Sequence, residues 1–536
     1  MMSRKQRLFF AVLSGVLLSF GWFRWSTGPV LLVALIPLLF VEEYFFRNRE
    51  RYSSIQVFWY ALLSFSIWNG INIWWIWNAS AIGMVLAIMI NASFLALVFL
   101  LAHLVRCTAG DKPGFFSLIV FWLFWEYFYL NGEISFPWLI LGNGFANNIR
   151  LIQWYEYTGV FGGSLWVLAS NLLIFSLVRN YAETRNWKGK LSLAGITLAW
   201  IILPVICSLL LYFNYHEKHD PYRMVVIQPN IDPYEKFVAI PSEEQTRILL
   251  DLAGQQADDS VDYFIAPETA LNNDIMIDHM RGNSAIDSVV AFMKNWPGAR
   301  YVVGIIGFRE YGPGDKLTPT ARPLGNSGFY YDSFNSAIQI DSTPHIQYYH
   351  KSKLVVGVEK MPYPQYLGFL KKLTLRLGGT FRSHAIQKSR SVLRSPADSM
   401  GVAPVICYES IFGEFVTGYL KKGAGFIFII TNDGWWGDTP GYRQHFSFAR
   451  IRAIENRRSV ARSANTGISG FINQRGDVID SAGWWVGASL KAELNANTEL
   501  TYYTRHGDYI ARLAGWFALL TGLYALVLRL KRKKTI

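Results

Sequence analysis

A series of long apolar segments is the feature that most constrains how this chain folds. Seven of them precede residue 214, and an eighth, "YIARLAGWFALLTGLYALVLRL", covers 509–530. The first seven lie at roughly 7–24, 28–45, 57–77, 80–105, 115–131, 164–179 and 191–213. A helix needs about 20 apolar residues to cross the ~30 Å hydrocarbon core of a bilayer. The pattern predicts eight transmembrane helices, seven within 1–213 and one at 509–530.

The basic residues predict the orientation of these helices. Arg and Lys cluster at the amino terminus, in alternate loops and in the tail "RLKRKKTI". Cytoplasmic loops of membrane proteins carry the excess of Lys and Arg. Both chain ends are therefore expected in the cytoplasm, and seven crossings place the region after residue 213 on the outside.

Composition supports a membrane protein over a nucleic-acid-binding one. Hydrophobic residues make up 51% of the chain and charged residues only 17%, which is too apolar for a soluble protein of 536 residues. The formal net charge of +13 would suit nucleic acid or an anionic membrane. No arginine-rich arm or RNA-binding signature is present, so we expect a membrane and no nucleic acid as partner.

Residues 221–505 have the pattern of an α/β domain. Short β-branched and aromatic runs such as "RMVVIQPN" and "GFIFIITNDG" alternate with helix-like stretches such as "SEEQTRILLDLAGQQA". Within this region, 361–400 is basic and amphipathic, which favours an arm on the membrane surface over a solvated loop.

The chain has three cysteines, and the third raises a question of function. Cys107 falls at the end of a predicted span and Cys207 within another, whereas Cys407 ends the apolar run "APVIC" of the α/β domain. A lone thiol there is either buried or kept for its reactivity. A nucleophilic thiol needs a base for its proton and a donor for the oxyanion.

Charged residues at other strand ends could supply that help. Glu268 follows the run "DYFIAP", Lys351 follows "QYYH", and Glu359 lies eight residues after the lysine. Taken singly, each has an ordinary explanation, such as a helix-start carboxylate or a charge on an edge strand. None of the histidines lies in an obvious Cys-His signature.

Together the segments around Glu268, Lys351 and Cys407 resemble the nitrilase superfamily, in which Glu, Lys and Cys follow strands in that order. More narrowly, the chain resembles the apolipoprotein N-acyltransferase family over nearly its whole length. The motifs that carry this resemblance are "FPWLILGNG" (136–144), "QPNID" (228–232), "TNDGWWGDTPGYRQH" (431–445) and "ARIRAIENRRSVARSANTGIS" (449–469). This chain departs from the family pattern at "LVVGVE", where the family usually has Leu-Val-Pro-Phe-Gly-Glu, and at Gly434 and Trp436.

The resemblance implies an architecture and a reaction. The architecture is a multi-pass helical domain joined to a nitrilase-like α-β-β-α sandwich, in a bacterial inner membrane, with the catalytic domain in the periplasm. An acyl chain would pass from a phospholipid, through a thioester on Cys407, to the amino group of a diacylglyceryl-cysteine on a lipoprotein. The implied catalytic residues are Glu268, Lys351 and Cys407, the supporting residues Glu359 and Glu409, and the substrate-binding residues Trp138, Asn230, Trp435 and Trp436.

No metal or dissociable cofactor is expected, and the chain is expected to act as a monomer. "HEKHD" at 216–220 lacks the spacing of a zinc motif.

Two alternative functions remain open: a membrane-tethered amidase or nitrile hydrolase with water as acceptor, and a transporter with an outer sensing domain. Transporters place ionisable residues within their spans, and the predicted spans hold few, notably Glu126.

Overall fold

The apolar segments form helices in the computed structural model, which describes residues 2–184, 190–236, 238–363, 383–395 and 400–534. The chain divides into two compact units. The helical unit comprises 1–77, 81–214 and 506–536, and the sheet unit comprises 78–80 and 215–505. The helices of the amino-terminal part are α1 (Arg4–Ser19), α2 (Ile36–Arg47), α3 (Ile55–Ile73), α4 (Ile76–Ala79), α5 (Ala81–Ala109), α6 (Asp111–Asn131), α7 (Tyr155–Thr184) and α8 (Leu191–Asn214).

Six helical stretches among the described residues are long and apolar enough to cross a membrane. They are Gly28–Arg47, Ala81–Ala109, Asp111–Asn131, Tyr155–Thr184, Leu191–Asn214 and Tyr509–Arg532. Helix α1 has only 16 residues because the chain turns into a short 3-10 helix at Phe20–Trp22. The structure thus supports a multi-pass membrane protein, and the count of eight spans stays a prediction.

Local sequence explains several helix boundaries. Ser3 caps α1 in a capping box with Gln6, so that each side chain accepts a hydrogen bond from the other's backbone N–H. Gly110, at φ +92, separates α5 from α6. Gly159, at φ +60, kinks α7, and both positive φ values favour glycine.

The helical unit also buries more charge than the sequence indicated. Besides Glu126, the structure buries Glu42, Glu43, His103 and Arg106. The Arg106 guanidinium contacts both glutamates. Glu42 and Glu43 therefore each pair with an opposite charge, which is the condition for burying ionised groups at tolerable cost. The sequence analysis missed this cluster because its members lie in different helices.

The sheet unit is built from two sheets. The strands of the first are β1 (Pro221–Gln228), β2 (Tyr263–Ile265), β3 (Leu271–Met276), β4 (Arg300–Tyr311), β5 (Arg322–Pro323), β6 (Tyr330–Ile340), β7 (Gln347–His350) and β14 (Ala488–Asn495). The strands of the second are β8 (Leu393–Arg394), β9 (Gly401–Ile406), β10 (Ala424–Thr431), β11 (Val460–Ala464), β12 (Gly470–Ile472) and β13 (Val478–Ser481).

The strand order places the parallel strands in the middle of each sheet. In the first sheet the order is β14-β1-β2-β4-β6-β5, with β1, β2 and β4 parallel. In the second the order is β13-β12-β11-β10-β9-β8, with β9, β10 and β11 parallel. Strand β10 is buried at every position, as expected for a parallel strand covered on both faces.

Helices cover the outer faces of the two sheets. Helices α9 (Ser242–Gln255) and α10 (Ser284–Met293) pack on the first sheet, and α11 (Gly413–Leu420) and α12 (Pro440–Asn456) pack on the second. The sheets meet through aromatic contacts such as Tyr263 with Phe428, whose ring centroids are 5.1 Å apart. The unit is therefore an α-β-β-α sandwich. Helices α13 (Tyr502–His506) and α14 (Tyr509–Lys534) follow it.

The predicted membrane arm at 361–400 lies largely outside the described residues, since 364–382 and 396–399 are not among them. Of the remainder, Leu393–Arg394 form β8, which pairs antiparallel with β9. The interpretation of this segment as a membrane arm stays a prediction.

Candidate active site

Three of the predicted site residues stand immediately after strands of the two sheets. Glu268 lies three residues beyond the end of β2, Lys351 directly follows β7, and Cys407 directly follows β9. All three side chains are buried. The sandwich brings together strand ends that lie far apart in the sequence, with Glu268 and Lys351 separated by 83 positions.

The Lys351 ammonium lies between two carboxylates. Its Nζ is 2.8 Å from Glu268 Oε1 and 2.9 Å from Glu359 Oε1. Burial acts to lower the pKa of Lys351, but the two carboxylates outweigh it and hold that pKa well above its ordinary value. Burial likewise acts against the charged form of Glu359, yet Lys351 keeps the pKa of this carboxyl below its usual range. The lysine is therefore a permanent cation, buried at the site.

Hydrogen bonds from two asparagines complete the surroundings of Glu268. The Asn335 side-chain amide donates to Glu268 Oε1 at 2.7 Å and to Glu359 Oε1 at 3.0 Å. The backbone N–H of Asn432 donates to Glu268 Oε2 at 3.1 Å. Both oxygens of Glu268 are thus oriented, which a proton acceptor requires.

Cys407 has a strained backbone and a thiol that resists ionisation. Its φ of +51 lies in the left-handed region that side chains other than glycine rarely adopt. Burial raises the pKa of the Cys407 thiol far above its ordinary value; Glu268 adds to this effect and Lys351 opposes it. Because the thiol stays protonated at neutral pH, an attack by this sulfur needs a base that takes the proton.

Glu409 ties the Cys407 turn to the segment that carries Lys351. Its Oε2 accepts from Ile406 N at 2.9 Å, and its Oε1 accepts from Ser352 N at 2.6 Å and from the Tyr349 hydroxyl at 2.7 Å. Burial raises the pKa of Glu409 to about 7, and these hydrogen bonds act in the opposite direction. The side chain therefore links the Cys407 turn to the Lys351 segment, and its supporting role stays a prediction.

The predicted substrate-binding residues fall in both units. Trp436 lies edge-on to His445 with centroids 5.7 Å apart, and Trp435 lies 5.1 Å from the Tyr234 ring. Asn230 has a φ of +55, and its backbone N–H donates to the Asn465 carbonyl. These residues belong to the sheet unit with Glu268, Lys351 and Cys407. Trp138 belongs to the helical unit, where it is buried.

The sequence analysis missed several polar residues of the site. Asn335 lies inside strand β6, which is buried from 332 to 340 and carries several other polar residues, so no pattern in the sequence marked it. Lys236 is buried, and its Nζ donates to the Glu268 carbonyl at 3.3 Å and to Thr269 Oγ1 at 3.1 Å. Burial lowers the pKa of Lys236 to about 7, although Glu268 opposes the shift. Among the described ranges, no group of three His, Cys, Asp or Glu side chains is arranged to hold a metal ion.

Family models match both parts of the chain. Residues 286–503 match the carbon-nitrogen hydrolase model, a range that includes Lys351 and Cys407 and begins after Glu268. Residues 14–173 match the model of the apolipoprotein N-acyltransferase N-terminal domain. With the α-β-β-α sandwich and the apolar helices, these matches define an enzyme of the carbon-nitrogen hydrolase class joined to a multi-pass membrane domain.

Relatives with established names match along the full length. The apolipoprotein N-acyltransferase of Chlorobaculum tepidum is 28% identical over 536 residues, which cover 98% of this chain and 97% of the relative. That of Geobacter metallireducens is 28% identical over 520 residues, 94% of this chain and 92% of the relative. This chain is therefore similar to apolipoprotein N-acyltransferases along nearly its whole length. Among solved structures, Saccharomyces cerevisiae Nit3, a member of the nitrilase superfamily, is similar to 52% of this chain at 13% identity, with a TM-score of 0.37 and 90% of Nit3 covered.

Proposed function

We propose that this chain is an apolipoprotein N-acyltransferase that carries its acyl group on Cys407. The acyl donor is a membrane phospholipid, and the acceptor is the α-amino group of the diacylglyceryl-cysteine at the amino terminus of a lipoprotein. The observation that carries the proposal is the buried Lys351 cation, held at 2.8 and 2.9 Å between two carboxylates, beside a strained thiol at a strand end. The full-length similarity to relatives of that name supports the choice of substrates.

In the first step Glu268 takes the Cys407 proton as the sulfur attacks an ester carbonyl of the phospholipid. The S–C bond forms, and the Lys351 ammonium stabilises the negative charge on the carbonyl oxygen. The ester C–O bond then breaks, and Glu268 passes its proton to the departing lysophospholipid oxygen. The acyl chain remains on Cys407 as a thioester.

In the second step the free α-amine of the acceptor attacks the thioester. The N–C bond forms and the C–S bond breaks, while Glu268 takes a proton from the amine and returns one to the Cys407 sulfur. The product is an N-acylated lipoprotein, and the enzyme is restored. Donor and acceptor use the same site in turn, so we expect ping-pong kinetics.

The charges at the site determine which role each residue has in the proposed reaction. Because burial keeps the thiol protonated, Glu268 is needed as base. Because Glu359 also pairs with Lys351, the ammonium keeps a counter-ion when Glu268 becomes protonated. Glu359 and Glu409 are therefore proposed as supporting residues, and no metal or cofactor enters any step.

The membrane helices fit lipid substrates. Drawing an acyl chain into water costs about 0.8 kcal/mol for each CH₂ exposed, and an enzyme seated in the bilayer avoids that cost. We propose a monomer in the bacterial inner membrane, with seven helices in 1–213, a periplasmic catalytic domain at 221–505 and an eighth helix at 509–530. Trp138, Asn230, Trp435 and Trp436 are the proposed substrate-binding side chains.

The first experiment uses the full chain in detergent with phospholipid and no acceptor. Mass spectrometry maps any adduct that hydroxylamine removes, which is the mark of a thioester. We expect one acyl group on Cys407, and none on Cys407→Ala. Cys207→Ala is the matched control, because Cys207 is an exposed cysteine of the helical unit, and it should acylate normally.

A synthetic diacylglyceryl-cysteine peptide added to the acylated enzyme tests the second step. Transfer of the acyl group to the peptide amine supports the acyltransferase. Loss of the adduct to water alone, with no peptide product, would support a hydrolase instead. Folded wild-type protein that forms no adduct on Cys407 would contradict the proposal.

A further inference from the structure

A second buried charge cluster lies next to Cys407 and does not include Lys351. Its centre is Asp433, which is fully buried. Arg462 Nη2 donates to its carboxylate at 2.6 Å and Thr431 Oγ1 donates at 2.8 Å, and His445 Nδ1 lies 2.9 Å from Asp433 Oδ1. Burial acts to raise the pKa of Asp433, but Arg462 and His445 outweigh it and keep that pKa below its ordinary value. Asp433 is therefore a buried anion.

His445 connects this anion to the backbone of the nucleophile. Its Nε2 lies 3.0 Å from Ser410 Oγ and 3.3 Å from the Cys407 carbonyl oxygen. The Ser410 hydroxyl donates its single proton to the same carbonyl oxygen at 2.8 Å. Since that proton is committed, Nε2 must be the donor in its own contacts. The Cys407 carbonyl is thus held from two directions.

Thr431 connects the same anion to the other end of the nucleophile. Its hydroxyl donates to Asp433 and is also a hydrogen-bond partner of the Cys407 thiol. Through Thr431 and His445, a single carboxylate reaches both the side chain and the carbonyl of Cys407. The burial of Asp433 does not by itself require these links to Cys407, because Arg462 already neutralises its charge.

The conformation of Cys407 explains why such support is needed. A residue other than glycine at positive φ is strained and persists only where its surroundings hold it. Glu409 holds the backbone before Cys407, through Ile406 N. The backbone after it, the Cys407 carbonyl itself, is held by Ser410 and His445. Without them the residue could relax to negative φ, which would turn the sulfur away from Glu268 and Lys351.

We propose that Asp433 and His445 are positioning residues that hold Cys407 in its attacking conformation through Thr431 and Ser410. Neither exchanges a proton with the substrate. The inference rests on the proposed function in that Cys407 is the nucleophile, but the reactivity of a thiol can be measured without lipid. The two proposals can therefore fail separately.

The test compares two replacements of His445 in the full chain. His445→Gln keeps a donor near the position of Nε2, whereas His445→Asn places its amide near Nδ1 and leaves Ser410 and the Cys407 carbonyl without that donor. Two rates are measured on folded protein: alkylation of Cys407 by iodoacetamide from pH 6 to 9, mapped by mass spectrometry, and acylation by phospholipid. Val289→Ala, in the core under α10, controls for loss of stability.

We expect His445→Asn to acylate about 100-fold more slowly, since a displacement of about 1 Å can cost that much. Its alkylation profile should move on the pH axis, because the sulfur leaves the Glu268–Lys351 pair. His445→Gln should recover at least about tenfold of the lost rate, and Val289→Ala should leave the profile unchanged. Ser410→Ala removes one hydroxyl only, and should shift the profile in the same direction if His445→Asn does not fold.

The proposal is overturned if folded His445→Asn or Ser410→Ala keeps the wild-type alkylation profile and acylation rate. It is also overturned if the Gln and Asn variants lose activity equally and in step with their melting temperatures, as a purely structural role requires. A third outcome separates the two proposals: the variants shift the alkylation profile, but the wild type forms no lipid adduct. That outcome would support the positioning role and contradict the proposed acyl donor.

Discussion

Two cysteines of this chain lie beside buried titratable side chains, and the comparison shows what distinguishes a nucleophile. In the helical unit, Cys107 Sγ is 3.4 Å from His103 Nε2, and His103 Nδ1 is 2.6 Å from Glu42. That row of thiol, imidazole and carboxylate has the outline of a catalytic triad. In the sheet unit, Cys407 has charged neighbours, Glu268 and Lys351, and among the residues that the structure describes no imidazole contacts its sulfur.

Cys107 and Cys407 differ more clearly in backbone conformation than in their neighbouring side chains. Cys107 lies on the regular helix α5, one turn after His103, so their contact follows from helical spacing alone. Both Glu42 oxygens are occupied, one by His103 and one by Arg106. Cys407 instead lies at positive φ at a strand end, beside a cation that can stabilise an oxyanion. These differences favour Cys407 over Cys107 as the proposed nucleophile.

The largest expected effect comes from replacing each of the two cysteines in turn. Cys407→Ala removes the proposed nucleophile and should abolish the acyl adduct, a loss of at least ~10⁴-fold in rate. Cys107→Ala removes the thiol of the other row and should leave the rate within about twofold, because no step of the proposed reaction uses it. Both are measured by mass spectrometry after incubation with phospholipid. An adduct on Cys107, or a normal rate in Cys407→Ala, would reverse the assignment.

The carboxylates offer the next contrast. Glu268→Gln keeps the shape of the side chain and removes its basicity, so acylation should fall by about 10²–10⁴-fold. Glu42→Gln should leave acylation unchanged and lower the melting temperature in detergent, because Arg106 and His103 each lose an ionic partner. Rapid-mixing acylation and thermal unfolding separate the two effects. A rate that falls only with Glu42→Gln would contradict the proposed base.

A smaller effect is expected at Glu409. In Glu409→Gln the amide nitrogen replaces Oε2, so Ile406 N loses its acceptor at the turn into Cys407. Acylation should fall by about 10–100-fold through misplacement of the sulfur, while the affinity for phospholipid stays unchanged. The turnover rate and the half-saturating phospholipid concentration report the two quantities. A change confined to affinity would show that Glu409 acts on substrate binding instead.

The smallest effect concerns two buried lysines whose pKa values move in opposite directions. Lys351 stays charged, whereas burial lowers the pKa of Lys236 to about 7 from the ordinary 10.5. Between pH 7 and 10.5 the unfolded chain then binds one more proton at residue 236 than the folded chain does. The free energy of unfolding therefore rises with pH in this window, by at most ~1.4 kcal/mol per unit.

Lys236→Met removes this contribution. The melting temperature of the wild type in detergent should rise relative to that of Lys236→Met as the pH increases from 7 to 9. Lys421→Met, at an exposed position, is the matched control and should give a parallel curve. Parallel curves for wild type and Lys236→Met would show that Lys236 keeps its proton in the folded protein.

Local patterns explain which parts of this fold could be predicted. The apolar runs predicted helices because a helix that faces lipid must be apolar along its length. The sequence predicted Glu268, Lys351 and Cys407 at strand ends, and each lies there. Its patterns did not anticipate Asn335 and Lys236, because their roles depend on contacts with Glu268 that only the folded chain makes.

Long-range contacts account for the rest. The sequence by itself determined a multi-pass membrane protein with an α/β domain and the residue types of its site, since those follow from hydropathy and motif order. Only the tertiary structure decided which charges meet: Glu359 with Lys351, Arg106 with Glu42, and Asp433 with Arg462. The physical reason is that burial makes each of these charges depend on a partner that only the folded chain brings within hydrogen-bonding distance.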